Sequence, residues 1–229
     1  MACHPPATEG VGSGVTGRIL YLIRHGRSHF GGEAEHFTSA RGAQWDPPLS
    51  VEGREQARLL AARLRVMDLE PFVVYASPLR RARETAQAFA SEAGVEVAFH
   101  DDLVEVHIGE WEGVPFEEIV EADPDIAWSL RNQQAIWHRA PGAEPAVRFR
   151  ERVRSAVESI VADHPDRNPL LFVHGGVINA YVGELLGLGH EMFFLPENTS
   201  LNSVEVDGPT RTVRFLNDVL HLTDPHFFG

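Results

Sequence analysis

Hydrophobic positions follow two rhythms along this chain of 229 residues. Three short runs without polar alternation, Ile19-Leu20-Tyr21-Leu22-Ile23, Phe72-Val73-Val74-Tyr75 and Leu170-Leu171-Phe172-Val173, read as strands buried on both faces. Between and after them, apolar residues recur at helical spacing. Ala57, Leu60, Ala61 and Leu64 follow a Ser50 cap, and Leu79, Ala82, Ala86 and Phe89 run to Gly94. Val153, Ala156, Val157, Ile160 and Val161 mark a helix over about 146–162, and another covers 177–186. Ser77 as N-cap, with Pro78 at the first helical position, should open the second helix. Residues 95–99 read as a weaker strand, while 203–206 and 212–216 alternate around the turn Asp207-Gly208-Pro209-Thr210. The pattern predicts an α/β fold, a three-layer open and mostly parallel sheet with helices on both faces. Over about 106–145 there is no clean strand, so this stretch is expected to form an inserted helical lid. Residues 1–17, rich in Gly and Pro, read as a flexible lead-in to a single domain over 18–229.

Chemistry concentrates where the strands stop. Two of the buried runs end in His followed by Gly, at Arg24-His25-Gly26 and His174-Gly175-Gly176. In open α/β sheets, ligands bind outside the carboxyl ends of the strands, so both imidazoles can converge there. A third run leads into Ser77-Pro78-Leu79-Arg80-Arg81, placing guanidinium groups at the start of a helix at the same edge. Cations are disfavoured at a positive helix N-terminus unless an anion compensates, and Arg24 adds a second planar fork suited to phosphate oxygens.

Charge and cysteine content narrow the partners. With 20 Lys+Arg against 33 Asp+Glu, the formal net charge is −13. Such a surface disfavours nucleic acid and anionic membranes, which are held by basic patches, but leaves room for a small anion in a locally cationic pocket. No apolar run approaches the roughly 18 residues of a membrane span. The single cysteine, Cys3, excludes an internal disulfide and a Cys-rich zinc site, and fits a cytoplasmic location.

Four motifs together carry a resemblance. Leu22-Ile23-Arg24-His25-Gly26, Ser77-Pro78-Leu79-Arg80-Arg81-Ala82-Arg83-Glu84-Thr85-Ala86, Glu105 ahead of Gly109-Glu110-Trp111-Glu112-Gly113, and Val173-His174-Gly175-Gly176-Val177-Ile178 stand in one order from about residue 18 to 215. In this the chain resembles the histidine phosphatase superfamily, also called phosphoglycerate mutase-like. The resemblance implies a metal-independent phosphomonoesterase that acts on a small phosphorylated metabolite through a phosphohistidine, without a cofactor. It implies His25 as nucleophile, Glu105 as general acid and base, His174 as a further donor, and Arg24, Arg81, Ser28 and Gly175 as phosphate-binding residues. Burial or nearby negative charge is expected to keep a proton on Glu105, and Arg80 is expected to be a solvated neighbour of Arg81. Departures are visible too. Arg27-Ser28 follows Arg-His-Gly where the family usually has Glu or Gln and then Thr or Ser, so an extra charge is expected near the pocket mouth. The loop over 30–45 lacks the family's usual segment, with Arg41 a weak candidate there, and Asn179 replaces a frequent Arg.

The alternative activity is a cofactor-dependent phosphoglycerate mutase. The 69-residue spacing from Glu105 to His174 is short for the mutases' longer insertion and favours hydrolysis. A metal enzyme using His25 and His29, or a non-catalytic phosphate-binding protein, ranks lower. Trp111, Trp128, Trp137, Arg131, His138 and Arg139 are expected to pack or solvate the lid. The closing hairpin, as a sheet edge, leaves room for a homodimer.

Overall fold

The computed structural model describes residues 17–29, 36–39, 42–123, 125–132, 136–189 and 192–223. The expectations for the 1–16 lead-in, Cys3 and Arg41, and for the Arg131 side chain, lie outside what is described. In chain order the elements are β1 (Arg18–Arg24), β2 (His36–Ser39), β3 (Gly42–Trp45), α1 (Val51–Val66), β4 (Phe72–Ala76), α2 (Arg80–Ala93), β5 (Val97–Phe99), α3 (Phe116–Ala122), α4 (Asp125–Arg131), α5 (Ala146–Asp163), β6 (Asn168–Val173), α6 (Gly175–Leu185), β7 (Leu201–Asp207), β8 (Thr210–Asp218) and α7 (Leu220–Thr223).

Six strands form one sheet in the order β5-β4-β6-β1-β7-β8. β5, β4, β6 and β1 are parallel, and β7 runs antiparallel to both its neighbours. Because side chains alternate across a strand, Leu20, Leu22, Leu171 and Val173 face α5 and α6, while Tyr21, Ile23, Leu170 and Phe172 face α1 and α2. Two cores therefore sandwich the sheet, and the continuous apolar runs are explained by burial on both faces.

Three local expectations are corrected. Helix α2 begins at Arg80 with Leu79, whose side chain makes no cap bond, at its N-cap, and the Ser77 hydroxyl is engaged with His174 instead. Helix α6 starts at Gly175 rather than 177, directly after His174. The 30–45 stretch contains the hairpin of β2 and β3. No helix among the described residues is long and apolar enough to cross a membrane.

Candidate active site

The strand order brings the predicted residues together. β6 lies between β1 and β4, so Arg24-His25, His174 and Ser77 leave three neighbouring strands at the same end. The His25 amide continues the ladder onto the Val173 carbonyl at 3.0 Å, and the Ser77 amide onto the Phe172 carbonyl at 3.0 Å. The two imidazoles lie 5.2 Å apart, centroid to centroid, tilted by 59°.

Hydrogen bonds set the state of each ring. His25 Nδ1 is 2.7 Å from the Gly26 carbonyl, which can only accept, so Nδ1 carries the proton. Nε2 then offers its lone pair, and Arg81 Nε donates to it at 3.3 Å. Burial, together with the Arg81 and Arg24 charges, holds the His25 pKa well below its usual 6.5, so the ring is neutral at neutral pH. His174 is fully buried, and burial followed by the Arg81 charge depresses its pKa in the same way. Ser77 Oγ accepts from the Leu79 amide at 3.3 Å and lies 2.8 Å from His174 Nε2. His174 Nδ1 has no partner in the protein, so an anion bound there, which can only accept, draws the ring proton onto Nδ1 while the Ser77 hydroxyl donates to Nε2. The Nε of Arg24 is likewise buried without a partner, while its Nη1 donates to the Pro196 carbonyl. A site whose buried N–H donors outnumber the protein's own acceptors suits an anion with several oxygens.

Glu105 closes the site from the segment after β5. Its Oε1 accepts from the Val106 amide and its Oε2 from the Gly176 amide, both at 2.9 Å. A Cβ on Gly176 would run into this carboxylate, so glycine is required there for close approach. The Glu105 carbonyl is held in turn by Gln44 Nε2 at 2.9 Å and Arg152 Nη2 at 3.1 Å. Arg152 is buried and forms a bidentate pair with Glu144 at 2.7 and 2.8 Å.

A cleft of about 430 Å³ contains Arg24, His25, Ser28, Arg81 and Glu105 on its walls. Gly175 stands at the start of α6 beside the Arg24 guanidinium and is not part of that lining. Arg27 is also outside it: exposed, and paired with Glu52 at 2.9 Å, it puts no free charge at the mouth. Arg80 pairs with Glu84 at 2.7 Å. Asn179 bonds the Gly175 and Phe194 carbonyls at 2.9 and 3.0 Å, so its amide ties α6 to a loop. Of the tryptophans expected over the cleft, Trp111 lines it, Trp137 is buried in the core and Trp128 is exposed.

Several supporting residues escaped the sequence reading. Asp46 caps α2 in place of Ser77, accepting from the Arg80 amide at 2.6 Å, and stands 4.0 Å from Arg81 Nη1. Desolvation raises its carboxyl pKa, opposed by that amide bond and by the arginines around it. Thr199, at φ 60°, donates its amide to the His25 carbonyl at 3.2 Å, and Asn198 Nδ2 reaches the same oxygen at 3.0 Å. An Asp just before a helix and a polar run before β7 are signals in the sequence, but neither says which side chain it serves.

The sequence profile of the histidine phosphatase superfamily (branch 1) matches residues 20–219. The glucosyl-3-phosphoglycerate phosphatase of Mycobacterium tuberculosis is 34% identical over 180 residues, covering 75% of this chain and 76% of its own. Phosphoserine phosphatase 1 of Hydrogenobacter thermophilus is 28% identical over 207 residues, 89% of this chain and 93% of its own. Relatives named for phosphoglycerate mutase occur as well. Among solved structures, Bacillus stearothermophilus YhfR superposes with a TM-score of 0.75 at 29% identity, covering 90% of this chain and 99% of that one.

Proposed function

The chain belongs to the histidine phosphatase superfamily and is a phosphoric monoester hydrolase, and from that premise we propose a metal-independent mechanism in which His25 takes the phosphoryl group. The observation that carries it is the neutral His25 ring, with Nδ1 tied to the Gly26 carbonyl and an Nε2 lone pair at the Arg81 guanidinium.

Nε2 attacks phosphorus in line, the N–P bond forms, and the ester P–O bond breaks. Arg24, Arg81 and the Nδ1–H of His174 hold the non-bridging oxygens, where charge is concentrated in a loose phosphoryl transfer. Gly175 and Ser28 contribute at the edge of the same anion site. Glu105, as general acid, gives a proton to the departing alkoxide. Its carboxylate then takes a proton from water, whose oxygen attacks phosphorus, releasing inorganic phosphate and free His25. The 106–145 segment acts as a lid over the leaving alcohol, and its short helices favour water as the acceptor over a retained phosphoglycerate.

Rapid quenching into alkali with a radiolabelled ester should trap an acid-labile, alkali-stable phosphoprotein that is absent in His25→Ala. Label on another residue, or turnover that a chelator abolishes, would refute this mechanism.

A further inference from the structure

The cleft differs sharply between its two ends. Among the described residues lining it, Arg24 and Arg81 are the only guanidinium groups, both at the phosphate end, and there is no lysine. The wall away from them is Trp111, Val114 and Ile119, while Trp45, whose carbonyl accepts from Arg81 at 3.3 Å, and Val106, whose amide binds Glu105, extend the apolar lining toward the phosphate end. Ile119 is buried with Ile126 and Ile136, and Trp111 and Val114 pack on them, so this wall is one side of a small apolar core. Two acceptor groups, Glu112 and Gln44, also line the cleft. Glu112 spends its carboxylate oxygens on the Trp45 and Ile108 amides at 2.9 and 3.1 Å, but keeps its negative charge on the cleft. Gln44, 2% exposed and also lining the cleft, has an Oε1 without a partner.

Among the described residues, a second anionic group on the substrate would meet these acceptors with no cation beyond Arg24 and Arg81, which the phosphate engages, and an unpaired buried charge is costly. An apolar body would instead remove the wall from water, and a hydroxyl or N–H on it would satisfy the Gln44 oxygen. We propose that the alcohol this phosphatase releases is uncharged and largely apolar, rather than a hydroxy acid or a doubly phosphorylated compound. The inference rests on the phosphatase reading above. It also separates this chain from a direct transfer of its relatives' named substrates, phosphoserine and glucosyl-3-phosphoglycerate, both esters of acids.

The test compares initial phosphate release by the full chain from 2-phenylethyl phosphate, ethyl phosphate, O-phosphoserine and 3-phosphoglycerate. These are all alkyl esters, which keeps differences in leaving-group reactivity small. Expected kcat/KM falls in that order, with about tenfold between the first two and at least another tenfold to the acids. Val114→Arg, checked for unchanged thermal unfolding, should narrow the gap to the acids about tenfold by supplying the missing cation. Trp111→Ala should raise KM for the phenylethyl ester about tenfold more than it raises KM for ethyl phosphate.

Equal rates for the phenylethyl and ethyl esters, or a preference for either acid in the wild type, would overturn the proposal while leaving the phosphatase reading intact. If that preference for an acid were lost in Arg41→Ala, the carboxylate grip would lie on the 30–41 stretch. Release from none of the four esters, or equal release by His25→Ala, would instead strike the phosphatase reading itself.

Discussion

The two ends of the cleft are built from different material. At the phosphate end, His25, His174 and Ser77 leave three adjacent strands, His25 and Ser77 held by ladder hydrogen bonds and His174 fully buried, over the buried centre of the sheet. At the other end stand α3 and α4, seven residues each, resting on a core of Ile119, Ile126 and Ile136. Individual struts tie that end down: Glu112 to the β3 end, Asp123 to Arg139 at 2.6 Å, and Glu144 to Arg152. Phosphoryl transfer needs donors fixed to a fraction of an ångström, which a packed sheet supplies. Holding an alcohol needs only shape and polarity, which short elements on a small core can provide.

The contrast can be broken from either side. His25→Ala should remove the nucleophile and lower kcat by about 10⁴-fold or more for every ester, with the thermal midpoint little changed. Glu105→Gln sits on the border between the two ends. It should cost about 10³-fold for alkyl esters but only about tenfold for 4-nitrophenyl phosphate, whose leaving group departs without a proton. Ile126→Ala, fully buried in the roof core, should destabilise that region by about 2–4 kcal/mol. Hydrogen exchange should then rise in 114–131 while β1 and β6 stay protected, and kcat/KM should fall several-fold more for bulky esters than for ethyl phosphate.

The smallest effect is in pH. In the proposed mechanism the neutral form of His25 is the reactive one, and its pKa is held below 6.5, so the acid limb of kcat/KM should lie below pH 6.5. Arg81→Gln removes one charge that lowers it and should move the limb upward. Stability has the same sign. His221 bonds Thr199 at 2.9 Å, and burial with the Arg63 charge pushes its pKa down to about 4. Its contribution is present above pH 6.5 and is lost as pH falls from 6.5 through about 4, because the unfolded chain binds the extra proton. Urea unfolding at pH 7.5 and 5 should show the decrease, and Arg63→Gln, which removes a charge that lowers the His221 pKa, should leave a shallower one.

Strands β1, β4 and β6, helices α1, α2 and α5, and the convergence of His25, Arg24, Arg81 and His174 were legible because apolar periodicity and strand-end position are local properties. Ser77 shows where that reading stops. As a cap it is a sound local inference, yet its hydroxyl serves His174, 97 residues away, and Asp46 caps the helix instead. Arg152, one Arg among many in a helix, is the buried clamp on Glu105. Arg27, which looked like pocket charge, pairs with Glu52 outside the cleft.

What the sequence by itself determined is the alternation of buried strands and amphipathic helices, and with it the sheet edge where the candidate catalytic side chains collect. Only the tertiary structure decided which nitrogen of His25 carries the proton, which carboxylate caps α2, and that the far wall of the cleft is apolar. The reason is physical: burial periodicity repeats every two or 3.6 residues and is written along the chain, whereas each polar atom chooses its partner from whatever the fold brings within about 3 Å.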